Sequence, residues 1–117
     1  MKKMWVLIAA LAAALASSAL AADEAQVEKG KEVYVYWCWN CHGEGVGKPG
    51  TVALAAKYKG TKPAILDQRM DLTPPTTKFF VRHGVSIMPF FRKTEVTDTQ
   101  LDALAAYLAR NSSGARK

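Results

Sequence analysis

The chain reads Tyr36-Trp37-Cys38-Trp39-Asn40-Cys41-His42 roughly a third of the way along its 117 residues. Cys38 and Cys41 are its only cysteines, too few for a disulfide framework. With the histidine that follows at once, they spell C-x-x-C-H, the pattern of covalent c-type haem attachment. The spacing has a mechanical reason. Two thiols three residues apart can add to the two vinyl groups on one side of a porphyrin. The adjacent His42 then reaches the iron from the proximal face. One of its ring nitrogens binds the metal, and the other donates to a backbone carbonyl that fixes the tautomer. Pro49 is placed to offer that carbonyl.

Three other chemistries fit parts of the same motif. A Cys38–Cys41 disulfide would close a loop too small to stabilise much. A zinc site has four ligands on paper in Cys38, Cys41, His42 and His83, but adjacent ligands are unlike the paired spacing of structural zinc sites. Trp37-Cys38-x-x-Cys41 also resembles the active site of thioredoxin-like thiol-disulfide oxidoreductases, and Val33-Tyr34-Val35-Tyr36 before it has strand-like composition. The remainder of the chain lacks the series of buried strands such an enzyme requires.

The N-terminal stretch sets the redox context. Residues 1–21 hold 17 apolar side chains and only Lys2 and Lys3 as charges. Met4 to Ala16 is an unbroken apolar run, shorter than the roughly 20 residues of a membrane span. Ala19-Leu20-Ala21 gives the small-x-small pattern of a signal-peptidase site. The expectation is a secretory signal over 1–21, a mature domain over 22–117 in an oxidising compartment, the bacterial periplasm, and no membrane span after cleavage. An uncleaved anchor is the alternative. The mature stretch has 96 residues, 14 basic and 10 acidic, enough for one small domain. A domain of that size buries a modest fraction of its surface and needs a staple. One haem c per chain would be that staple.

Haem iron takes a sixth ligand. Outside the signal the methionines are Met70 and Met88. Met88 lies 46 residues after His42, within Gly84-Val85-Ser86-Ile87-Met88-Pro89, between two helix patterns. Pro89 blocks helix continuation and stiffens the segment. Met70 falls in a predicted short helix and reads as core. His83 is a rival ligand, though a histidine at a helix end suits the surface. With His42 and Met88 both engaged, no iron position is open to a substrate, so the chemistry expected is electron carriage and not catalysis.

The patterning is helical around this site. Val27, Gly30, Tyr34 and Trp37 form one stripe of a first helix. Residues 43–51 read as glycine-rich loop. Thr61 with Pro63 opens a short helix over Ala64–Met70. Thr73 with Pro74 opens another, carrying Phe79 and Phe80 as its apolar load and ended by Gly84. Thr97-Asp98-Thr99-Gln100 is a capping box for a last helix to about Arg110, with Leu101, Leu104, Tyr107 and Leu108 inward. The tail from Asn111 to Lys117 reads as frayed.

Taken together, residues 24–110 resemble a class I cytochrome c: Gly30 and Tyr34 before the motif, Cys38-x-x-Cys41-His42, Met88-Pro89, and a C-terminal helix with Leu104 and Tyr107. The resemblance implies a small all-α fold packed on one covalently attached haem. It also implies a crossing of the first and last helices where Gly30 meets Tyr107. A narrower likeness joins Cys41-His42-Gly43-Glu44-Gly45 with Arg82-His83-Gly84 and Met88-Pro89-Phe90-Phe91-Arg92-Lys93-Thr94-Glu95. These stretches resemble the cytochrome subunit of periplasmic flavocytochromes that oxidise 4-alkylphenols, such as p-cresol methylhydroxylase and eugenol hydroxylase. That likeness implies a flavoprotein dehydrogenase subunit as electron donor and a second periplasmic protein as acceptor. A free-standing carrier serving an oxidase or reductase is the alternative.

Charge is uneven along the mature chain. Residues 22–47 sum to −3, residues 48–93 to +7, and residues 94–117 to 0. A basic belt in the middle could steer docking on an acidic partner; a mixed solvated surface is the plainer reading. Nucleic acid is not expected as a partner of an exported haem protein. Phe90, Phe91 and Arg92, directly after Met88, are the candidate partner interface, with one phenylalanine packed inward and the other exposed. Arg82 and Arg92 are both candidates to meet a haem propionate.

Overall fold

The crossing of the first and last helices organises the molecule. The computed structural model describes residues 2–112, with side chains from residue 12 onward except Ser17 and Ala22. Helix α1 spans Lys2–Trp37 and α5 spans Asp98–Ala109. They pack where Gly30 presents no side chain: a Cβ there would collide with the carbonyl of Ala103 and lie 2.7 Å from Cβ of Tyr107. Tyr34 and Tyr107 meet beside that point with ring centroids 5.5 Å apart. Val33, Tyr34, Leu101, Leu104, Tyr107 and Leu108 are buried around it. The inward faces expected of both helices are thus the ones observed.

Among the described residues there are three further helices: α2 over Trp39–His42, α3 over Pro49–Tyr58 and α4 over Pro74–His83. A single 3-10 turn covers Leu66–Gln68. No strand occurs among the described residues, so the fold is all-α. The caps behave as their residues require. Thr73 accepts from the Thr76 amide with Pro74 at the first helical position. Thr97 and Gln100 form the reciprocal capping box. Gly84 ends α4 at φ 68°, a backbone angle that side chains disfavour.

Several expectations are corrected. Residues 49–51, expected as the end of a loop, open the helix over 49–58; Pro49 sits at its start, and the Val52–Tyr58 run that follows is rich in helix formers. The short helix expected over Ala64–Met70 contracts to its central three residues. Met70 is 65% exposed and is not core. In α4 the buried residues are Thr77 and Val81, while Phe79 and Phe80 are exposed. One i, i+4 stripe faces α5, and the phenylalanines lie off it. At the C-terminus, Asn111 Nδ2 donates to Asp67 O (3.2 Å) and Ser112 Oγ to Leu72 O (2.7 Å). The first two residues of the supposed frayed tail are therefore tied down, and the rest lie outside the described residues. Residues 2–21, expected as a secretory signal, are helical and continue without a break into the rest of α1. Among the described residues no helix is long and apolar enough to cross a membrane.

Candidate haem centre

The C-x-x-C-H motif is wound into one tight turn at the end of α1. The Cys38 amide still donates to Tyr34 O (2.9 Å), closing α1. The amides of Cys41 and His42 then both donate to Cys38 O, at 3.1 and 2.9 Å. This brings the two thiols and the imidazole onto a single helical turn. Tyr34, 1% exposed, donates its hydroxyl to His42 O (3.1 Å) and holds the turn from α1. Thr51 of α3 donates to Gly43 O (2.8 Å) and holds it from the other side.

No disulfide joins Cys38 and Cys41. Burial, with Cys41 beside it, pushes the Cys38 thiol up to about 12. A thiol-disulfide oxidoreductase needs the opposite, a lowered thiol pKa. The lack of strands among the described residues, with the thiol shifted in the opposite sense, speaks against the thioredoxin-like reading. The zinc reading fails too: no group of three or more His, Cys, Asp or Glu side chains is placed to hold a metal ion among the described residues.

His42 is half-buried, and burial lowers its pKa, which favours the neutral imidazole that ligates iron. Its Nδ1 is buried without a hydrogen-bond partner among the described residues. The carbonyl of Pro49, expected to accept from it, is not its partner. The ring instead lies against Gly50, the second residue of α3: a Cβ there would sit 2.6 Å from His42 Cε1 and 2.7 Å from Nδ1. Two thiols, a neutral imidazole with an orphaned buried nitrogen, and a cradle that a methyl group would fill suit a covalently attached haem.

Met88 stands on a turn of its own. Val85 and Met88 exchange both backbone hydrogen bonds, at 3.1 and 2.9 Å, around Ser86 at φ 54°. Gly84 lies so close beneath that a Cβ would be 2.6 Å from Met88 O. Met88 itself is half-buried. The Phe91 amide donates to Val81 O (2.8 Å), and the Phe91 ring meets Trp37 edge-on at 5.7 Å. Trp37 immediately precedes Cys38. The contact therefore ties the segment bearing Met88 to the segment bearing Cys38, Cys41 and His42.

The three candidate interface residues separate. Phe90 is 60% exposed. Phe91 packs on Trp37 and is partly buried, so it is the inward one of the pair. Arg92 is exposed and pairs with Glu95 at 3.4 Å. Arg82 is committed internally: Nη1 donates to Phe91 O (3.0 Å) and Val96 O (2.9 Å), and Nη2 to Asp98 (2.8 Å). His83 is exposed, its Nδ1 2.8 Å from Phe79 O and its ring stacked on Phe79.

The basic belt is largely paired. Lys62 and Arg69 both hold Asp71 at 2.6 Å, Lys78 holds Asp102 at 2.5 Å, and Lys93 holds Asp98 at 3.0 Å. Sequence reasoning missed Gly50 and Thr51 because they were read as loop. Pro49 at a helix start was the signal that could have placed them. It also missed Lys48, which lies over the ring of Trp39.

A strandless helical fold, closed by a glycine-mediated crossing of its end helices and carrying C-x-x-C-H on the turn beside it, defines a small c-type cytochrome. The chain belongs to the family described as cytochrome c oxidase, cbb3-type, subunit III, whose family model matches residues 25–108. No curated protein and no solved structure matches it. Membership in this class assigns the chain one covalently bound haem c and electron transfer through it.

Proposed function

We propose that this chain is a periplasmic one-electron carrier, exported by residues 1–21. Cys38 and Cys41 would hold the haem covalently, and His42 and Met88 would ligate its iron. The observation that carries the ligation is the Trp37–Phe91 contact, which couples two hydrogen-bonded turns, one presenting His42 and the other Met88. A bound haem c supplies a one-electron couple. An imidazole and a thioether leave no position for a substrate, so the chain's role is to carry electrons. A thioether ligand also favours the reduced state and raises the potential. The test is Met88→Ala. The weak far-red absorption band of Met-ligated ferric haem is expected to vanish in the variant, and its persistence would overturn the assignment.

The donor we infer is a flavoprotein dehydrogenase subunit of the 4-alkylphenol-oxidising type. The likeness over Arg82–Glu95 supports it, as does the exposed Phe90 two residues past Met88. Such a donor delivers the two electrons of a hydride abstraction singly, and the carrier passes each on to a periplasmic acceptor. A free-standing carrier serving a terminal oxidase is the second reading, favoured by the oxidase in the family's description. Co-purification with a flavin-containing chain is expected on the first reading. An isolated cytochrome that exchanges electrons only with an oxidase would support the second.

A further inference from the structure

Lys48 occupies a position that helix stability does not explain. Lysine is rarely buried, yet Lys48 is 8% exposed. It makes no ion pair among the described residues. Its Nζ lies 3.2 Å from the centroid of the Trp39 ring. It is also the N-cap of α3, with no side-chain capping bond and no acidic residue in the first turn of that helix. A cation there opposes the helix dipole, whose positive end lies at the N-terminus. Two positive features thus converge beside the motif. One is the ammonium over Trp39, which follows Cys38 within the motif. The other is the N-terminus of α3, whose Gly50 packs against the His42 ring.

We propose that Lys48 is an electrostatic determinant of the redox equilibrium, its cation held over Trp39 to disfavour the oxidised state of the centre. The inference rests on the haem c reading above. Oxidation removes one electron and leaves one more positive charge at the iron. A buried, unpaired cation on the motif raises the cost of that charge, because little water screens it. The exposed basic residues, mostly paired with carboxylates, cannot act in this way. The ring of Trp39 serves as platform and packs closely on Gly43, where a Cβ would lie 2.5 Å from Trp39 Nε1.

The experiment measures the midpoint potential of the haem-loaded protein by equilibration with mediators. Lys48→Gln and Lys48→Met are expected to shift the one-electron equilibrium toward oxidation by up to about ten-fold, which for one electron is about 59 mV. Lys48→Arg, which keeps charge and ring contact, is expected to stay near the wild type. The shift should persist at high salt, whereas Lys59→Gln, on the exposed surface, should give a small shift that salt removes. Trp39→Leu gives an independent check: releasing the cation to water should lower the potential and make it salt-sensitive. Equal potentials in the wild type and both neutral variants would overturn the proposal. So would an Arg variant that falls as far as the Gln variant, since packing and not charge would then be at work. Loss of haem from both neutral variants with retention in the Arg form would make Lys48 a folding determinant and also overturn it. A wild type without covalently bound haem would sink the underlying haem reading instead.

Discussion

Gly50 shows how one missing side chain positions the site. Its Cα faces the His42 ring so closely that a methyl group would overlap both Cε1 and Nδ1. Gly50→Ala must therefore displace either α3 or the imidazole. Overpacking of this kind costs about 2 kcal/mol, and here the displaced group is the imidazole of the C-x-x-C-H motif. The variant is expected to show a lower haem-to-protein ratio and an earlier denaturation midpoint; wild-type values for both would contradict this geometry. Asp71 makes a second single-residue prediction. The bidentate Arg69 guanidinium, and after it the Lys62 ammonium, hold its carboxyl well below the usual carboxylate range. The folded state thus takes up this proton less readily than the unfolded state, whose carboxyl titrates at about 4. The stability Asp71 contributes is fully present above that value and is lost as pH falls through it toward the folded pKa. Asp71 is partly exposed, so the contribution is modest. Asp71→Asn should be less stable than the wild type at pH 7 and should lose less stability on acidification below about pH 5. Parallel stability curves across that range would count against the linkage.

At the level of elements, the crossing of α1 and α5 fixes the start of the haem motif, because Tyr34 both packs on Tyr107 and donates to His42 O. Gly30→Ala tests that coupling. Alanine gains about 1 kcal/mol of helix propensity over glycine, but the added methyl must push against the Ala103 carbonyl and Tyr107 Cβ, which are backbone and near-backbone atoms that cannot swing away. The net expectation is a loss of about 2 kcal/mol, read as a reduced denaturant midpoint; a neutral or stabilised variant would show that the helices do not meet there. These elements were legible in the sequence where local chemistry specifies them. The 27-30-34-37 stripe, the Thr73 and Thr97 caps and Gly84 as terminator all depend on neighbours within one turn. Helix α3 was missed because three glycines just before it and the proline at its first position favoured a loop, even though Pro49 is also a good helix opener. The inward load of α4 was misjudged for a different reason. Phe79 and Phe80 are its largest apolar side chains, but which stripe meets α5 is decided by docking, and docking buries Thr77 and Val81.

Across the whole molecule, what the sequence hid is what distant segments do to one another. The +7 of residues 48–93 suggests a strongly basic belt. The fold brings Asp98, Asp102 and Glu95, from a stretch of zero net charge, against Arg82, Lys93, Lys78 and Arg92. Each exposed pair adds little stability, but together they flatten the field that would steer a partner. Asp67 is a similar long-range junction, bonded by Tyr107, Arg110 and Asn111 from some 40 residues away. The N-terminal part of α1 stands in contrast. Of its described side chains, residues 12–16, 18–21 and 23–26 are all exposed, and none of the described ones before Val27 joins the core. A helix segment whose described side chains face water adds no burial to the folded state, so its removal subtracts none. A chain beginning at Ala22 is therefore expected to match the full-length chain in unfolding free energy within about 0.5 kcal/mol, the scale of surface changes. It should also bind haem in the same proportion and show the same midpoint potential, because every contact to the haem motif and to the Met88 turn named above comes from residue 30 or later. Denaturant titration and redox titration of the two forms make the comparison. A loss of stability well beyond that margin in the shorter form would mean that residues 2–21 fold back on the domain in solution.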